Sequence, residues 1–174
     1  MAQGQELALL RAVFLLAYHA SLRVSEYAVS PADHTLKLED LSFVIAAEKP
    51  LKAVIKLPSF KASKRPTKLL LSPSSDASLC PVMALLKYSA GRQSQHRELF
   101  VRPSQRGQTP LTTSWINSKI AGCAQVAQLE PGQYSSHSFR AGLHHRFGSP
   151  QLLRRHLEEV GEMEVTSLFT VCQI

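Results

Sequence analysis

"LKLEDLSFVIAAEKPLKAVIKL", residues 36–57, is where the chain changes its period. Leu36, Leu38 and Leu41 alternate with polar residues, "FVIAA" is a short apolar run, and Ala53, Ile55 and Leu57 alternate again. A period of two belongs to half-buried strands. "FKASKRPTKLLLS" follows, with Lys61, Lys64, Arg65 and Pro66 marking a basic turn and Leu69, Leu70 and Leu71 a third strand. The stretch therefore predicts a small antiparallel sheet with a basic hairpin.

Helices are expected on both sides of it. Leu7, Leu10, Val13, Phe14, Ala17 and Tyr18 recur at helical spacing, which predicts a helix over residues 5–19 with one buried stripe. "SLCPVMALLKYSAGR" reads as helix, with Pro81 in the first turn where its missing N–H is harmless. "SQRGQTPL" reads as a loop, after which Thr112 or Thr113 caps a helix carrying Trp115, Ile116, Ile120, Cys123, Ala124 and Ala127. "LEPGQY" breaks that helix.

The chain has 174 residues, 44% of them hydrophobic, enough for one domain with a core. Lys and Arg total 20 against 13 Asp and Glu, a net charge of +7, which favours an anionic partner. No apolar run reaches the roughly 18 residues of a membrane span, and the first residues carry Gln, Glu, Arg and His where a signal peptide is apolar. A soluble intracellular protein is expected. Cys80, Cys123 and Cys172 are odd in number and lack CxxC spacing, so free thiols are expected rather than a disulfide framework or zinc ribbon. His144, His145 and His156 have no ligand spacing beside them, and no metal is expected.

Three separated pieces can carry chemistry: Arg23 with Glu26 in "SLRVSE", Lys61 in "SFKASK", and His137 with Arg140 in "SSHSFRAG". Two arginines and a lysine around one point suit a phosphate, because guanidinium groups make paired charge-assisted bonds to its oxygens. Singly, each is an ordinary surface residue.

In this order they resemble the catalytic domain of the tyrosine recombinases, or phage-type integrases, and "LCPVMALLKYSAGR" with the later "LF", "PLT" and "HSFRAG" resembles the eukaryotic DIRS-like and Crypton-like branch. The resemblance implies a mainly α fold with a small three-stranded antiparallel sheet, over residues 1–142, followed by a divergent tail at 143–174. It also implies that Arg23 and Arg140 hold the scissile phosphate, that Lys61 protonates the leaving 5′ oxygen and that His137 assists proton transfer. Glu26 would orient Arg23. Lys64, Arg65 and Lys68 would face the DNA backbone, Lys64 being a substitute for Lys61 in another register. Double-stranded DNA is the implied partner, with copies assembling on it, no cofactor or metal, and the nucleus as location in a eukaryote or the cytoplasm otherwise.

The chain departs from that family in one respect. The family's nucleophile is a tyrosine after HxxR, and residues 138–174 hold neither Tyr nor Trp. Read one base later, suitable codons for "QLLRRHLEEVGEMEVTSLFTVCQI" encode a Gly-Arg-Trp segment followed by a tyrosine, so a frameshift after Arg140 is one expectation. An amphipathic helix bearing Leu153, Leu157 and Val160 is the other. DNA integration and recombination, without cleavage in this form, is the implied function. A non-catalytic DNA-binding or protein-interaction module is the alternative.

Overall fold

The first helix, α1 (Ala2–His19), is the axis of the core. In this computed structural model, which describes residues 2–30, 35–46, 49–57, 66–105 and 107–139, six consecutive α1 residues from Ala12 to Ala17 are buried. Six residues span more than a full turn, so this part of α1 is covered on every side rather than along one stripe. Against it pack α3 (Pro81–Gly91) and β4 (Val101–Ser104). Arg11 fastens the connection before α3 by donating from Nε to the Ser78 carbonyl at 3.0 Å and from a terminal nitrogen to Ala77.

The three-stranded sheet runs β1 (Leu41–Ala46), β2 (Lys49–Leu57), β3 (Thr67–Leu71), antiparallel throughout. Ala53, Ile55 and Leu57 are buried as their alternation requires, and β2 meets α3. A register shift occurs between Val44, opposite Lys52, and Ile45, opposite Pro50, so the extra residue lies in β2. The alternation of Leu36, Leu38 and Leu41 has another outcome: Leu38–Asp40 form a 3₁₀ turn. Residues 36–38 pair instead with the segment before β4, through Leu38 N–H to Arg97 O and Leu99 N–H to Leu36 O, each 2.8 Å.

A second sheet lies where a loop is predicted. β4 pairs with β5 (Gly107–Pro110), Val101 opposite Pro110 and Ser104 opposite Gly107. Gly107 has φ of 110°, a conformation that only glycine adopts without strain. Two prolines and few apolar residues hide this pair from a periodicity reading. Helices account for 45% and strands for 23% of the described residues, so the chain is mixed α/β and the mainly α expectation is corrected.

Local chemistry accounts for the helix starts. Pro81 occupies the first position of α3 behind Cys80, and Thr112 Oγ1 accepts from Trp115 N–H to cap α4 (Thr113–Val126). Trp115 lies under two cations, Lys119 Nζ at 5.3 Å and the Arg102 guanidinium at 6.0 Å from the ring centre, and Lys119 also pairs with Glu6 of α1. Cys80 is a buried free thiol. Among the described residues no helix is long and apolar enough to cross a membrane.

Candidate nucleic-acid interface

Arg23 owes its position to the way α1 ends. Ala20 N–H donates to Leu16 O at 2.9 Å and Leu22 N–H to Ala17 O at 3.1 Å, with Ser21 in the left-handed region at φ 51°. Leu22, 1% exposed, then plugs the core, and the next residue must leave it. Arg23 is accordingly exposed, at the N-cap of α2 (Val24–Tyr27). Its backbone N–H donates to Glu26 Oε2 at 2.6 Å, so Glu26 holds the turn through the main chain.

His137 is held by a serine box. Ser135 N–H donates to Ser138 Oγ at 3.0 Å, while Ser135 Oγ accepts from His137 N–H at 3.3 Å. Ser136, buried, donates its N–H to Asn117 Oδ1 of α4 at 2.9 Å. Phe139 packs its ring 5.0 Å from that of Phe14 on α1. Anchored on both sides, His137 is itself exposed. Phe14 lies one turn before Ala17, the residue that receives the Leu22 N–H, so the Arg23 turn and the His137 segment are both fastened to the second half of α1.

Lys68 lies on the three-stranded sheet, exposed on β3 directly opposite Lys56 of β2. Lys61, Lys64, Arg65 and Arg140 lie outside the described residues. Lys52 and Lys56, which share the face of Lys68, were missed as candidates; the signal is their alternation with Ala53, Ile55 and Leu57.

The tyrosines divide into two sets. Tyr27 and Tyr88 are buried, and burial raises both phenol pKa values above the ordinary range, the charge of Glu26 adding to it at Tyr27. Tyr18 and Tyr134 are half-buried, Tyr18 edge-on to His19 at 5.4 Å. Burial of the first two removes them from reach of a macromolecular substrate. Among the described residues no group of three His, Cys, Asp or Glu side chains is placed to hold a metal ion.

An open polar cleft of about 510 Å³ is lined by Gln5, Gln93, Gln95, His96 and Gln108 among others. Gln5 sits near the start of α1, roughly 20 Å of helix from the Arg23 turn, so this cleft is not part of that site. No protein-family model matches the chain, and no curated protein matches it.

Proposed function

We propose that the chain is a DNA-binding module of the tyrosine-recombinase type that grips the phosphate backbone and does not cut it. The observation that carries this reading is that Arg23 and His137 are both exposed, on turns fastened to the buried second half of α1. A rigid mount for two donors suits a phosphate, whose contacts fix register and orientation. Lys61 and Arg140 would complete the clamp, with Lys64 and Arg65 along the backbone and a net charge of +7 supplying the long-range attraction. The burial of Tyr27 and Tyr88 favours binding without a phosphotyrosine intermediate at either of them.

Duplex affinity measured across a salt series tests the reading. Steep salt dependence is expected, with Arg23→Ala weakening binding and flattening the log–log slope by about one. On a denaturing gel no covalent protein–DNA adduct should form. Affinity indifferent to salt, or undetectable at moderate salt, would sink the proposal.

A further inference from the structure

The outward face of the three-stranded sheet holds charges that no described residue neutralises. Lys52 and Lys56 of β2 alternate with the buried Ala53, Ile55 and Leu57, and Lys56 stands directly opposite Lys68 of β3. All three are exposed, none pairs with a described residue, and the three strands contain no Asp or Glu. Like charges facing each other across a sheet destabilise it. A single lysine suffices to guard an edge strand against self-pairing, so the opposed pair needs another explanation.

Aliphatic side chains are interleaved with these lysines. Val44, opposite Lys52, is 45% exposed, Ile45 beyond the bulge 59%, and Leu70, two residues from Lys68, 63%. Three strands about 4.8 Å apart make a face about 10 Å across, which is the width of one α-helix. We propose that this face docks an acidic amphipathic helix of a partner protein, its apolar stripe on Val44, Ile45 and Leu70 and its carboxylates reaching Lys52, Lys56 and Lys68.

Charge complementarity selects that occupant. A second copy packed face to face would bring six lysines together with no carboxylate from either sheet. Duplex DNA would take the lysines but offers the exposed aliphatics phosphate and sugar. An acidic helix satisfies both sets, and the inference does not depend on the phosphate clamp at Arg23.

The probe is a labelled 18-residue synthetic helix with leucines at i, i+3, i+4 and i+7 spacing flanked by glutamates, followed by fluorescence anisotropy. Versions with lysine for glutamate, or serine for leucine, should bind at least about tenfold more weakly. Lys56→Glu with Lys68→Glu should weaken the parent peptide by about tenfold or more, and Leu70→Ser by severalfold. Lys87→Glu, the same charge reversal on the exposed surface of α3, should change it less than about twofold. These positions are exposed, so thermal unfolding of each variant checks that the fold persists. Absence of binding by the parent peptide overturns the proposal, as does an equal loss with Lys87→Glu. If the Lys56/Lys68 reversal spares the peptide but lowers affinity for a 30-base-pair duplex, the face belongs to nucleic acid instead.

Discussion

Tyr27 and Tyr88 are buried almost alike, at 1% and 6% exposure, yet their hydroxyls are treated in opposite ways. Around Tyr88 the polar tip is built in: its oxygen accepts from Val101 N–H at 2.9 Å and donates to Leu99 O at 3.2 Å, tying α3 to the entry of β4, with the Phe100 ring 5.5 Å away. Around Tyr27, at the end of α2, the hydroxyl is buried with no hydrogen-bond partner among the described residues. The first region uses its polar atom as a fastening. The second tolerates its polar atom so that the ring can fill the space behind the Arg23 turn.

Breaking the Tyr88 region should have the largest effect. Phe100→Ala removes a fully buried ring beside Tyr88 and should destabilise the fold by about 3–5 kcal/mol in denaturant unfolding. Tyr88→Phe is gentler but leaves the Val101 N–H unsatisfied in the interior, and about 1–3 kcal/mol should be lost. Tyr27→Phe is the contrasting case. Since its hydroxyl has no partner among the described residues, the change should be neutral or stabilise by up to about 1 kcal/mol. A loss as large as that of Tyr88→Phe would erase the contrast between the two regions.

The pH profile sharpens it further. Both phenols have raised folded pKa values, so their contribution is full below the ordinary tyrosine value of 10.0 and is lost as pH rises beyond it. Thermal melts should therefore fall above pH 10, and Tyr27→Phe should flatten that fall. His19 acts at the other end: burial lowers its pKa below 6.5, against a smaller raising effect from the backbone at Leu79. The unfolded chain then binds the proton more readily, so stability is full above pH 6.5 and declines as pH drops through the folded value. His19→Gln should make acid melts shallower. This is the smallest of the expected effects, since other groups titrate in the same range.

Much of the scaffold is legible in the sequence because its causes are local. Pro81 at the start of α3, Thr112 as the cap of α4 and the alternation through Ala53, Ile55 and Leu57 each act within a few residues. The stripe read along α1 was too narrow, because periodicity cannot report how many neighbours a helix has. The same limit applies to Leu36 and Leu38, whose alternation is real but whose partner is the segment at 97–99, about sixty residues away. The β4–β5 hairpin was missed because "VRPS" and "GQTP" carry little strand propensity and pair by closure around Gly107. Among the candidate residues, Arg23 and His137 were singled out by motif, whereas the grouping of Lys52 and Lys56 with Lys68 needs the register of two strands.

By itself the sequence determined the charge of the protein, the residue types able to grip a phosphate, and the helices and strands whose signals lie within one or two turns. Tertiary structure decided which of those residues share a surface. It buried Tyr27 and Tyr88, fastened the Arg23 and His137 turns to one helix, and set Lys56 against Lys68. Propensity and capping are settled by neighbours along the chain, but exposure and juxtaposition depend on contacts between segments far apart in sequence, and those exist only once the core has closed.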